Sequence, residues 1–147
     1  MEAEQDFFVR DYWAVDYPHV ADIWERTGMS TPGRGDTAAV IETTLRNNGR
    51  LLVLVDRERD TVVGTSWLTN DGRRLYLHHF AVDPDYHNRK LSKPLLRASL
   101  RIARELGLQV KLEVHRDNHK ALGLYRKAGF KRLGDYDIMI IRDLSKI

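Results

Sequence analysis

Between Leu75 and Val114 the hydrophobic period of the chain changes twice, and nothing else in the sequence restricts the fold as much. LYLHHFAV, residues 75–82, is a strand-like run, and PLLRASLRIARELG, residues 94–107, sets Leu95, Leu96, Leu100 and Ile102 near one face of a helix. VKLEV, residues 110–114, is strand-like again. Strands joined through a helix pair in parallel, since a tight hairpin serves only antiparallel neighbours. Pro94 suits the first turn of that helix, where an N–H has no intrahelical partner.

The remaining segments add antiparallel pieces to this crossover. FFVRDYW reads as a first strand, after which Asp16 is placed to cap a helix carrying Val20, Ile23 and Trp24 and ending near Gly28. MSTPGRGD, residues 29–36, is dense in turn formers, and Asp36 is expected to open a second helix with Ala39, Val40, Ile41 and Leu45, ending near Gly49. LLVLV and TVVGTSWL then form a meander with LYLHHFAV through the turns DRERD and TNDGRR. Downstream of VKLEV, HRDN reads as a capping turn and HKALGLYRKAG as a short helix closed by Gly129. Phe130 to Leu144 reads as a closing strand pair around GDYD. The predicted order is β-α-α-β-β-β-α-β-α-β-β, an α/β (α+β) mixed sheet of about seven strands with helices on both faces.

At 147 residues the chain has the length of one domain, expected to span 1–147. Its 24 Lys and Arg against 21 Asp and Glu leave a formal charge of +3, with the two signs interspersed, which argues against a nucleic-acid partner. No cysteine is present, so disulfides, thiolate metal sites and a cysteine nucleophile are excluded. The start, MEAEQDFF, lacks the basic and apolar stretches of a secretory signal, and runs such as LLVLV and IMII are too short to span a bilayer. A cytoplasmic protein with no membrane partner is the expectation. The oligomeric state stays open, a homodimer among the options. The histidines supply no convergent set of three or four ligands, so no metal is expected.

Two blocks carry chemistry. VDPDYHNRKLSKPLL runs from a strand end through a loop into a helix start, where unpaired N–H groups and a partial positive charge face any anion. Some twenty residues later comes LEVHRDNHKALGLYRKAGF. Together the blocks resemble the two core motifs of the GNAT acyltransferases, and the preceding helix pair and meander extend the resemblance over nearly the whole chain.

That resemblance implies a GNAT-like sheet whose central strand splays from LEV to admit the pantetheine arm of acetyl-CoA, and transfer of the acetyl group to the primary amine of a small molecule or peptide in a ternary complex. It places the donor along Phe80, Ala81 and Val82, through the loop residues His87, Asn88, Arg89, Lys90, Leu91, Ser92 and Lys93, and against Asn118 and Tyr125. Tyr125 then protonates the departing thiolate. Strict alternation along the strand puts Tyr76, His78 and Phe80 on one face and Leu77, His79 and Ala81 on the other. His78 falls where a member of the family carries strand histidines beside its amine site, so His78, not His79, is expected to act as general base or to order a water that does.

The loop departs from the family pattern. His87 stands at the usual Gln or Arg, Lys90 at the first Gly and Ser92 at the second Gly or Ala. Ser92 is small and a good helix cap, but a Cβ at residue 90 burdens a tight turn. Two function classes are consistent with this pattern: an acetyltransferase with an altered but working loop, or a noncatalytic domain of the same fold that senses a ligand or partner.

Overall fold

Branched and aromatic side chains dominate four extended runs, and the short polar turns between the last three leave those no arrangement but antiparallel neighbours. The computed structural model, which describes residues 6–30 and 35–147, orders them β1 (Phe7–Asp11), β2 (Arg50–Asp56), β3 (Thr61–Asn70) and β4 (Arg74–Val82), each antiparallel to the next. The expected crossover comes next: a helix, α3 (Ser92–Leu106), returns the chain to β5 (Gln109–Leu112), which pairs parallel to β4. Helices α1 (Tyr17–Arg26) and α2 (Ala38–Arg46) lie between β1 and β2 in sequence, and α4 (His119–Lys127) comes after β5. By compactness the chain forms two units, Met1–Glu113 and Val114–Ile147.

Each face of the sheet has its own apolar layer. On one face Val20, Ile23 and Trp24 of α1 and Ile41 of α2 pack with Leu51, Val53, Val55 and Trp67 in a single buried cluster. The indole N–H of Trp67 donates to Thr44 Oγ1 of α2 (2.9 Å), and the Trp24 and Trp67 rings stack at 5.3 Å. On the other face, Leu95, Leu96, Ser99, Ile102 and Ala103 of α3 are buried, while Leu100 is only half-buried. Ser99 donates to the Leu95 carbonyl (2.8 Å) and accepts from Ser66 of β3 (2.6 Å), so a buried hydroxyl chain ties α3 to the sheet.

Two features of β4 determine where side chains are free to act. Its pairing with β5 covers only Arg74–Leu77 against Gln109–Leu112, so His78–Val82 runs on without that neighbour, and the strand expected over VKLEV is shorter than its apolar run. Against β3, Trp67 pairs with His78 and Thr65 with Ala81, which leaves His79 and Phe80 opposite the single residue Ser66. This is a β-bulge, and His79 adopts a φ of +44° within it.

Several expectations are corrected. The sheet has five strands among the described residues, not about seven, and the expected order loses its last two: Phe130 to Leu144 makes no ladder pairing, and Ile138–Ile141 is largely exposed. A strand needs an edge to pair with, and apolar residues do not create one. Asp16 forms no side-chain bond to the start of α1; it closes a 3₁₀ turn by accepting from the Trp13 N–H (2.7 Å) and from Arg10 (2.8 and 3.0 Å). Asp36 does not open α2, whose cap is Thr37, accepting from the Val40 N–H at 3.2 Å. Of the turn-rich loop over residues 29–36, positions 31–34 lie outside the described residues.

The Ser66–Ser99 chain makes a stability prediction. Removing Ser99 orphans the buried Ser66 hydroxyl, whereas removing Ser66 leaves Ser99 bonded to Leu95. By chemical denaturation, Ser99→Ala should cost about 1–3 kcal/mol, Ser66→Ala less, and the double variant should recover part of the Ser99→Ala loss.

Candidate functional site

The bulge overturns the face assignment made from strict alternation. With two residues of β4 opposing one of β3, the period of two breaks after His78, and both imidazoles come to the side of Trp67: their ring centres lie 6.2 Å (His78) and 5.3 Å (His79) from that indole. Ala81, also expected on the far face, joins the same buried cluster as Trp67. Tyr76 and His78 do share a face as expected, and their rings stack at 4.6 Å.

The two histidines have different surroundings. His78 shares a 2.8 Å hydrogen bond between Nε2 and Thr69 Oγ1. Burial, with a smaller contribution from the charge of His79, holds its pKa below the ordinary 6.5, so it is neutral at physiological pH. Beside it the Tyr76 hydroxyl donates to Glu113 Oε1 (2.6 Å), and burial together with this carboxylate pushes the phenol up to about 12. His79 instead meets a carboxylate across the sheet face. Its Nε2 lies 2.9 Å from Asp36 Oδ2, which also accepts from the Ser30 hydroxyl (2.8 Å), and Ser30 Oγ is 3.4 Å from the same ring nitrogen. The His79 and Asp36 side chains are each 15% exposed.

This second constellation is invisible to local sequence patterns. Ser30 and Asp36 sit in the loop between α1 and α2, more than forty residues from His79, and their only local signal is a turn former and an apparent helix cap. A buried relay fixes the bulge that turns His79 towards them: the Trp24 indole N–H donates to Thr65 Oγ1 (2.8 Å), and Thr65 Oγ1 donates to the His79 carbonyl (2.7 Å). The His79 ring stands edge-on to Trp24 at 4.5 Å.

At the end of β4 the expected donor residues divide by burial. Ala81 and Val82 are buried and Phe80 half-buried; Asn88, Arg89, Lys90 and Lys93 are exposed, Ser92 is half-buried and Leu91 is buried. The loop is pinned from below. Asp83 takes a bidentate pair from Arg26 of α1 (2.7 and 3.0 Å), and the guanidinium holds that carboxyl below its usual range. The Tyr86 hydroxyl donates to Asp56 (2.8 Å), and His87 Nε2 donates to the Val82 carbonyl (2.8 Å). Asn88 and Lys90 take φ of +66° and +60°, so Lys90 occupies the left-handed turn for which the family pattern uses glycine. The helix beyond begins before Pro94. Ser92 is its first residue and not its cap, and no side chain caps that start among the described residues.

The second block is described by itself. Asn118 caps α4, its Oδ1 accepting from the Ala121 N–H at 3.2 Å, so at least one of its functions is structural. Tyr125 is buried, its ring 5.6 Å from that of Phe130, and burial pushes its phenol up to about 12. No group of three or more His, Asp or Glu able to hold a metal occurs among the described residues. No described helix is long and apolar enough to cross a membrane.

The depressed pKa of His78 carries a sign. Folding favours its neutral form, so its contribution to stability is complete above pH 6.5 and is lost as pH falls through the lower folded value. His78→Gln should therefore flatten the decline of Tm on the acid side of pH 6.5 relative to the parent, measured by thermal melts at stepped pH.

Comparison with known proteins gives this architecture a lineage. The sequence pattern of the Acetyltransferase (GNAT) family matches residues 9–130. The N-alpha-acetyltransferase RimI of Mycobacterium tuberculosis is 42% identical over 82 residues, covering 53% of this chain and 51% of that protein. A mycothiol acetyltransferase of Clavibacter michiganensis is 39% identical over 82 residues, 54% of this chain and 27% of the relative. The chain thus spans about half or less of the length of these relatives. Among solved structures, a Trypanosoma brucei acetyltransferase superposes with a TM-score of 0.74 at 21% identity, covering 92% of this chain and all of the other. The PaiA N-acetyltransferase of Thermoplasma acidophilum, solved in complex with coenzyme A, does so with a TM-score of 0.69 at 19% identity over 85% and 89%. Matched over residues 9–130, the chain belongs to the GNAT acetyltransferase family.

Proposed function

We propose that the chain is a single acyltransferase domain that moves an acetyl group from acetyl-CoA to a primary amine by direct attack in a ternary complex. One observation carries the reading: β4 leaves β5 after Leu77 and runs, through left-handed Asn88 and Lys90, into an uncapped helix start. A strand that runs on past its parallel neighbour leaves room for an extended amide-containing arm, and an uncapped helix end offers N–H groups to a phosphate. The family supplies acetyl-CoA as the ligand with both features, and a solved neighbour holds coenzyme A.

In this reading Phe80, Ala81 and Val82 flank the pantetheine arm, and His87 through Lys93 face the pyrophosphate. Lys90 does not close the turn, because it already has the backbone conformation a glycine would take; its ammonium, with Arg89 and Lys93, adds charge where one N–H is missing at Pro94. Tyr125, with a phenol at about 12, stays protonated at any pH where a thiolate leaves, which suits a proton donor to sulfur. The proton released by the amine goes to an imidazole of β4, where His78 and His79 share the face of α1 and α2. The acceptor is an amine on a small molecule or peptide.

Acetyl-CoA should raise the Tm well above the shift produced by pantetheine, which lacks the phosphates. Equal shifts, or none, exclude a phosphate site at the start of α3 and favour a noncatalytic role. With acetyl-CoA and a panel of primary amines, Tyr125→Phe should lower kcat by something like ten- to a thousandfold with little change in donor Kd; an unchanged kcat assigns Tyr125 to packing. Lys90→Ala should weaken CoA binding and reduce its salt dependence in titration calorimetry, and Lys90→Gly should lose less. A marked gain on Lys90→Gly would instead identify the lysine as an obstruction.

A further inference from the structure

His79 is the most over-determined side chain on the face between β4 and the α1–α2 loop. Its backbone sits in a conformation that non-glycine residues rarely adopt, its carbonyl is held through Thr65 by Trp24, and its ring stands edge-on to both Trp24 and Trp67. Strain kept by so many contacts marks a residue placed for its side chain and not for its backbone. That side chain is aimed at Asp36, itself oriented by Ser30.

We infer that His79, paired with Asp36, is the base that takes the proton from the acceptor amine, with Asp36 and Ser30 as its positioning residues. The inference rests on the acetyl-transfer reading and differs from the expectation for His78. Asp36 accepts from Nε2, which leaves the lone pair of Nδ1 to receive a proton, and among the described residues Nδ1 has no hydrogen-bond partner. A carboxylate on the opposite nitrogen fixes that tautomer and faces the imidazolium once it forms. His78 has no carboxylate in contact: its Nε2 is engaged with Thr69, its ring lies flat on Tyr76, and burial weakens it as a base. Among the described residues, the titratable groups around the His79 ring are Asp36 from the loop and His78 on its own strand; Glu113 acts on His78 and is tied to the Tyr76 hydroxyl. α1 and β3 present Trp24, Trp67 and Thr65, which carry no charge.

The step balances simply. An ammonium RNH₃⁺ gives one proton to Nδ1 of His79, and the freed nitrogen pair attacks the thioester carbonyl. The C–N bond forms, the C–S bond breaks with its electron pair going to sulfur, and the second amine proton ends on the thiol. The products are the acetamide, CoA-SH and imidazolium, which returns its proton to solvent.

The test compares kcat/KM against pH for the parent, His79→Asn, Asp36→Asn and His78→Gln, using acetyl-CoA and whichever primary alkylamine or N-terminally free peptide of a panel reacts fastest. Asparagine tolerates left-handed backbone, so His79→Asn keeps the bulge. His79→Asn should lower kcat/KM by roughly 10²–10⁴-fold near neutral pH and move the acid limb up to the pKa of the amine itself. Asp36→Asn should lower it by a smaller factor with the limb displaced, and His78→Gln should leave the limb in place. His79→Gly should be as inactive as His79→Asn and regain rate with added imidazole, a rescue that no purely structural ion pair would show. Nitrogen-15 spectra of the histidine rings supply a readout independent of turnover: the signal lost in His79→Asn should show the proton on Nε2 in the parent. A proton on Nδ1, or an acid limb unmoved in His79→Asn while moved in His78→Gln, overturns the assignment. A parent protein that acetylates no amine of the panel removes the acetyl-transfer reading itself, and the inference with it.

Discussion

The hydrogen bonds from Trp24 to Thr65 and from Thr65 to the His79 carbonyl are the contact on which the functional face depends. They cross from helix to sheet in a buried setting, where an unpaired indole N–H or hydroxyl would be costly, so they hold α1, β3 and the bulge in one register. Trp67 extends the arrangement to α2 through Thr44 and stacks on Trp24, so both helices that flank the α1–α2 loop are anchored to β3, the neighbour of the strand that carries the histidines. The geometry of Asp36 against His79 depends on this anchoring, because Asp36 directly precedes Thr37, the cap of α2.

The other end of β4 is held by charge and not by aromatic packing. Arg26, in the last turn of α1, forms a fork with Asp83, and Tyr86 binds Asp56 at the end of β2. These bonds fix the departure of the loop, while the residues beyond them, from Asn88 to Lys90, are exposed. The contrast suits a phosphate-binding segment: a rigid base and an accessible rim. It also accounts for a lysine at a turn where the family pattern has glycine. The backbone strain of a left-handed lysine, roughly 1–2 kcal/mol, is small beside the bonds that define the loop's entry.

Much of the architecture is legible in the sequence because it depends on local period and turn chemistry. The meander, both N-terminal helices with their buried Val20, Ile23, Trp24 and Ile41, and the parallel crossover through α3 all arise from patterns within a dozen residues. The expectation of closing strands fails for a related reason. Ile138 to Ile141 has the composition of a strand, but strand formation is a property of a pair, and no described residue pairs with it. Asp16 and Asp36 have the residue type and position of helix caps, yet Asp16 is taken up by the Arg10 guanidinium and the Trp13 N–H, and Asp36 by His79 and Ser30, partners set by the tertiary structure.

By itself, the sequence determined the order of the strands and helices from β1 to α4, the parallel return to β5, the loop that leads into α3 and the resemblance that names the family, since each is encoded in contiguous stretches. Only the tertiary structure decided the face of His79. One extra residue in a ladder reverses every side chain beyond it, and whether a strand bulges depends on what its neighbours hold in place, here a tryptophan on α1 and a threonine on β3 that are distant in the chain.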